Sequence, residues 1–195
     1  SFGRFHVDHP PPGPDMLASI SLIAFAMLAA VPLAARLGQR AGWLLALAPL
    51  AAFIHFLSQM PTVAGGDVIT STLAWVPALG VELAFRLDGL SLLFALLITG
   101  IGTLIVLYAG AYLSDHHHLG RFHAYLLGFM AAMLGLVLAD DLIAMFVFWE
   151  LTSVSSFLLI AFQHDKAESR RAALQALLIT GGGGRNNGST RPDYT

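Results

Sequence analysis

Cysteine is absent from this 195-residue chain, which removes both a disulfide framework and a thiolate metal site. Charge is scarce as well: 11% of the residues are Asp, Glu, Lys or Arg, against roughly 25% in an average soluble domain. The net charge is only -2, so nothing points to nucleic acid or to an acidic partner. Lysine is almost missing, with Lys166 the single example. What is present is apolar. Hydrophobic residues make up 56% of the chain and the mean hydropathy is +0.72. They are gathered into runs near 20 residues long between short charged loops, the composition of a helical membrane bundle.

The runs predict an all-α, polytopic transmembrane bundle of five complete spans plus a partial sixth. The spans fall at about residues 16–37, 42–60, 88–113, 122–138 and 142–162, with a sixth beginning at 172 and stopping at 180. Residues 61–87 contain Gly65, Gly66 and Pro77 among short apolar pieces and read as an extramembrane loop with some local structure. The first span also resembles a signal peptide in its Ala-rich end, but it has no basic flank before it and Arg36 and Arg40 after it, which favours a membrane anchor.

Polar, proline-rich residues 1–15 precede the first methionine, Met16, and read as a disordered or non-native extension. At the other end AALQALLIT covers about 14 Å as a helix, roughly half of a bilayer core. The tail GGGGRNNGSTRPDYT at 181–195 then breaks the apolar pattern, so the chain reads as a fragment with an aberrant or disordered end. The glycine run is no phosphate loop, because it lacks the Gly-Lys-Ser/Thr ending that serves phosphate and magnesium.

Basic residues alternate between loops. Arg36 and Arg40 lie between spans one and two, Arg121 between three and four, and Lys166, Arg170 and Arg171 between five and six. The intervening loops hold Arg86 and the pair Asp140 and Asp141. The positive-inside rule then sets the N-terminus outside and residues 163–171 inside.

Of the twelve acidic residues, most fall in loops or tails. Asp88, Asp140 and Asp141 sit at span ends, where a carboxylate can cap free backbone N–H groups and meet the positive end of a helix dipole. Glu150 alone is held inside a span. The roughly twelve Leu, Ile, Val and Phe of 142–162 contribute about -0.3 to -0.6 kcal/mol each toward insertion, against about +3 for the acid, so the segment still inserts. Glu150 lies about 12 Å from one end and about 18 Å from the other, beyond the reach of snorkelling. Ser153 at i+3 shares its face, while Thr152 and Ser156 form a second i, i+4 polar pair. An intramembrane carboxylate is either helix-joining glue or a proton or ion site, and the mid-membrane position favours the second.

Weaker candidates remain. His116, His117 and His118, with His123 nearby, read as a solvated internal loop rather than a specific metal site. His55 in the second span reads as a packed residue without a visible partner. Gly100, Gly102, Gly128 and Gly135 are expected at close helix contacts. No catalytic constellation, metal site or cofactor ligand set for haem, flavin or iron–sulfur is visible.

RLDGLSLLF at 86–94, LIVLYAGAYL after it and LADDLIAMFVFWELTSVSSFLLIAF at 138–162 resemble the antiporter-like subunits shared by respiratory complex I and the Mrp-type multisubunit cation/proton antiporters. The carrying marks are Asp88-Gly89-Leu90-Ser91 at the start of the third span and Phe148-Trp149-Glu150 in the fifth. Thr152-Ser153 and RRAALQALLIT are similar to the large A-type subunit of the antiporter. The resemblance covers about residues 16–180, the first spans of a longer subunit in a bacterial cell membrane.

That resemblance implies a proton-translocating role for Glu150 through pairing with a lysine on a later helix, with Ser153 as a polar neighbour and Asp88, Gly89 and Trp149 as structural motif residues. It also implies other membrane subunits as partners, and protons with Na+ or K+ as the ions. The alternatives are a proton-pumping subunit of a quinone oxidoreductase and a non-transporting scaffold. Since Lys166 is the only lysine and lies in a loop, this chain lacks the expected cationic partner and is not expected to transport alone.

Overall fold

A computed structural model describes residues 15–38, 40–76, 81–112 and 119–162. Five helices carry the chain: α1 (Asp15–Leu37), α2 (Arg40–Ala64), α3 (Gly89–Tyr112), α4 (Leu119–Leu138) and α5 (Leu142–Ile160). Each is long and apolar enough to cross a membrane, with mean hydropathy between 1.6 and 2.5, so the chain is a multi-pass membrane protein. The expected internal loop at 163–171, the sixth span at 172–180 and the tail at 181–195 lie outside the described residues, as does all of the expected extension before Asp15.

Two helix ends are set by glycine. Gly38 has φ +55° and its N–H bonds Ala34 O at 2.9 Å, closing α1 with a left-handed cap. Gly66 does the same for α2 at φ +96°, with its N–H on Val63 O at 3.0 Å. α2 therefore continues four residues past the expected end at Met60, through Pro61. A proline is tolerated inside a membrane helix where its missing hydrogen bond is offset locally.

The local structure expected in the loop between α2 and α3 is a hairpin. Strands β1 (Ile69–Val76) and β2 (Val81–Leu87) form an antiparallel hairpin whose register runs from Ile69 opposite Leu87 to Val76 opposite Val81. Thr70, Thr72, Val81 and the aromatic and β-branched residues around them suit a pleated ribbon. Phe85 and Leu87 of β2 turn into the protein and are buried.

The packing centres on α4. It contacts α1, α3 and α5, while α2 lies against α3 and α1. Gly120, Ala124, Gly128 and Ala132 repeat at i, i+4 on α4, giving a smooth ridge that lets another helix approach closely. A side chain on Gly120 would meet Ala34 and Val31 of α1, and one on Gly128 would meet Met27. The remaining expected glycine contacts are also present: Gly100 faces Phe53, Gly102 faces Met130 and Gly135 faces Phe148. α5 is the peripheral helix. It touches α4 and β2, and most of its apolar side chains are exposed.

Candidate functional site

Three non-helical stretches meet at one end of the bundle. The β2 strand pairs with the α4–α5 turn through a bridge between Phe85 and Ala139, and Asp140 N–H donates to Ala84 O at 2.9 Å. Asp141 completes the junction. Its Oδ1 accepts from Ala144 N–H at 2.7 Å, capping α5, and its Oδ2 accepts from Ala84 N–H at 2.6 Å. Asp140 instead faces Arg86, whose guanidinium lies 3.9 Å from Asp140 and 3.7 Å from Asp88. Two loops expected on the same membrane side are thus joined directly.

Asp88 caps α3. Its Oδ1 accepts from Leu90 N–H at 3.1 Å and Ser91 N–H at 3.0 Å, while Ser91 Oγ accepts from Asp88 N–H at 2.7 Å. This reciprocal arrangement satisfies donors that a helix start leaves free. The Ser91 backbone N–H, followed by the Ser91 hydroxyl, holds the Asp88 carboxyl below the usual carboxylate range; Leu90 N–H and Arg86 act in the same direction. The Asp-Gly-Leu-Ser motif is in this respect a helix-start device. Gly89 itself meets open space and has no left-handed backbone, so nothing in the structure requires glycine there.

The fifth helix carries the acid. Asp141 fixes where α5 begins, and nine residues after it in the sequence stands Glu150. Glu150 is half-buried, and among the described residues it has neither a hydrogen bond nor an ion pair. The hydroxyls beside it are turned to their own helix. Ser153 Oγ donates to Trp149 O at 3.2 Å, Thr152 Oγ1 to Phe148 O at 2.6 Å and Ser155 Oγ to Leu151 O at 2.7 Å. Such back-bonding hides hydroxyl polarity inside an apolar span. Ser153 is therefore a neighbour along the helix, not a hydrogen-bond partner of the carboxyl.

Thr152, Ser153 and Ser156 line a groove of about 270 Å³ between α5 and α4, closed by Phe129 and Met133 of α4 and by Trp149. Trp149 is 52% exposed. Phe148 points the other way, with its ring against Gly135 and 5.9 Å from the Phe85 ring. The first two residues of the Phe-Trp-Glu motif thus face different ways: Phe148 anchors α5 and Trp149 borders the groove.

His123, grouped with the histidine run in the sequence although it falls at the start of the expected fourth span, is on α4 and fully buried. The adjacent His116, His117 and His118 lie outside the described residues, and among the described ones no group of three His, Asp or Glu side chains forms a metal-ligand set. His55 is in α2, with Nε2 buried and without a hydrogen-bond partner among the described residues. Sequence reasoning missed the connection from Asp141 to Ala84 and the burial of His123. Asp141 as a cap was legible from its position before an apolar run, but its second bond crosses 57 residues.

Comparison with known proteins follows from this geometry. Residues 75–123 match the family described as NADH-Ubiquinone oxidoreductase (complex I), chain 5 N-terminus. Residues 139–183, which include the α5 motif, match the family described as NADH:quinone oxidoreductase/Mrp antiporter, TM. The chain belongs to this antiporter-like family. Within it, the chain is 52% identical over 143 residues to the Na(+)/H(+) antiporter subunit A1 of Staphylococcus haemolyticus (strain JCSC1435), covering 73% of this chain and 18% of that protein. It is 45% identical over 170 residues to the protein of the same name from Staphylococcus aureus, covering 86% and 21%. These similarities agree with the resemblance to the A-type subunit. The chain spans about a fifth of the length of these relatives.

Among solved structures, a chain of the Mrp complex from Dietzia sp. DQ12-45-1b superposes with a TM-score of 0.72 at 32% identity, covering 86% of this chain and 18% of that one. A chain of the membrane-bound sulfane sulfur reductase, an archaeal respiratory membrane complex, shares the fold at 22% identity and a TM-score of 0.63, covering 85% and 24%. The overall fold described above is accordingly shared with these two chains.

Proposed function

We propose that this chain forms part of a membrane cation/proton antiporter subunit, and that Glu150 takes up and releases the transported proton. The observation that carries the proposal is a carboxyl inside a membrane helix that no described residue neutralises. An acid in that setting is a functional group by default. Its proton affinity depends on what faces it: a nearby cation favours the carboxylate, whereas apolar surroundings without one favour the acid. A cation on a further helix that approaches and withdraws would load and unload the proton. The relatives named as Na(+)/H(+) antiporter subunits support this reading, as does the exposed face of α5, which leaves room for further helices.

The same reading puts the chain in a bacterial cytoplasmic membrane with its N-terminus outside, beside other membrane subunits, exchanging protons for Na+ or K+. Support for the orientation comes from the alternation of basic loops. In vesicles holding the complete subunit in its complex, Glu150→Gln is expected to abolish cation-dependent proton flux while assembly is retained. Normal flux in an assembled Glu150→Gln complex would leave the carboxyl a structural role.

A second reading, a proton-pumping subunit of a quinone oxidoreductase, is favoured by the match of residues 75–123 to a complex I family. Copurified flavin and iron–sulfur proteins would support it. Copurified small membrane subunits alone would support the antiporter.

A further inference from the structure

His123 is enclosed where three helices meet. Its side chain is 0% exposed. Nδ1 lies 3.0 Å from Leu119 O on its own helix, and Nε2 lies 3.3 Å from Val106 O on α3. From the third side α2 closes over the ring at Gly42, where a Cβ would stand 3.6 Å from Nε2 and 3.0 Å from the Cα of Gly110. The tight approach is that of Gly42 to the Gly110 backbone, so these glycines bring α2 close to α3 beside the ring, which a Cβ on Gly42 would touch at ordinary contact distance. Phe122, adjacent on α4, contacts the His123 ring edge-on and also Phe162 beyond α5, at 5.2 Å.

Both ring nitrogens therefore face acceptors. A neutral imidazole has one N–H and one lone pair. Whichever tautomer it adopts, one lone pair then points at a carbonyl oxygen, an arrangement that repels. The doubly protonated ring has an N–H for each carbonyl. We propose that His123 is a second proton-binding site of this chain, separate from Glu150, in which the bound proton bridges α4 to α3.

The surroundings specify how the proton is held. α2, α3 and α4 contain no Asp or Glu, so the carbonyl oxygens of Leu119 and Val106 take the place of a carboxylate counter-ion. The cationic groups on the packed elements are Arg36 at the end of α1, Arg40 at the start of α2 and Arg121 on α4. The other titratable residues there are Asp15 at the start of α1, His55 on α2, Tyr108 and Tyr112 on α3, and Tyr125 on α4; α5, beyond α4, brings Glu150. None of these makes a hydrogen bond to the ring. Because the charged ring keeps both carbonyl contacts and the neutral ring keeps one, proton binding and α3–α4 contact favour each other reciprocally. This holds whether or not Glu150 carries transported protons.

The site can be read directly, without a substitution. His123-Ala124 is the only His-Ala pair in the chain, so with uniformly 13C,15N-labelled histidine, carbonyl-13C valine and 15N-alanine, transfer between the histidine carbonyl and the alanine nitrogen selects the signals of this histidine. Solid-state NMR of the full chain in phospholipid vesicles would follow both ring nitrogens from about pH 5 to about pH 8, the range in which histidine charge ordinarily changes. It would also measure the Nε2 to Val106 carbonyl distance. The expected result is uptake of a second proton with both carbonyl contacts kept, and loss of one contact in the neutral state. A ring that stays in one neutral tautomer throughout, or that is protonated only after leaving Val106, would overturn the proposal.

Discussion

Asp141 and Ala84 are 57 residues apart in sequence and joined at 2.6 Å, carboxylate to backbone N–H. The same carboxylate caps α5 through Ala144. One side chain therefore fixes both the start of the helix that carries Glu150 and the position of the β2 strand beside it. The carboxylate of Asp140, one residue earlier, pairs with Arg86 at 3.9 Å, and both of those side chains are partly exposed.

Removing Asp141 leaves two backbone donors without their partner. Asp141→Ala is expected to destabilise the protein by about 1–3 kcal/mol, with faster hydrogen exchange at Ala84 and in the first turn of α5. Asp140→Ala is expected to cost less than about 1 kcal/mol, as for an exposed ion pair. Thermal unfolding in detergent, with exchange followed by mass spectrometry, compares the two. Equal effects would show that the bridge from Asp141 carries no special weight.

The glycines of α4 and α3 differ in what faces them. A Cβ on Gly135 would fall within the Phe148 ring, a rigid group that is also held by Phe85. A Cβ on Gly102 would meet the flexible end of Met130. Gly135→Ala should therefore destabilise by about 1–3 kcal/mol as an overpacking change, and Gly102→Ala by less. Pairing Gly135→Ala with Phe148→Leu should recover part of the loss, as measured by a double-mutant cycle.

The α3 cap gives a pH dependence of defined sign. Asp88 stands just outside the span, and its carboxyl is held below its ordinary value of about 3.9 by Ser91 first and Arg86 least. Unfolded chain then binds the proton more readily than folded chain. The stabilisation is complete above the ordinary value and is lost as pH falls through the lower folded value. Wild type should lose stability across that acid window more steeply than Asp88→Asn, as read from unfolding midpoints at stepped pH.

The absence of cysteine makes the topology open to direct mapping. Single cysteines placed at Thr72 and Asp140 should react with a membrane-impermeant maleimide from one side, and one at Gly38 from the other. All three positions are exposed. Reaction of Thr72 and Asp140 from opposite sides would contradict the bridge between β2 and the α4–α5 turn.

The sequence alone determined the five helices and the place of Glu150. Membrane insertion is a local property: an apolar run of sufficient length must satisfy its own backbone, and a helix does so. Asp88 and Asp141 were legible as helix starts for the same reason, since a cap acts within one turn. The tertiary structure decided what required distant partners. The hairpin depends on pairing Ile69 with Leu87, and the second bond of Asp141 depends on where β2 lies. His123 lies at the start of the expected fourth span and groups in the sequence with the solvated histidine run before it, yet packing of α2 and α3 against α4 buries it. Its two carbonyl neighbours come from different helices, and no local pattern records that Gly42 and Gly110 bring α2 close to α3 beside it. Burial and pairing of this kind arise from packing, which is set by all the helices at once.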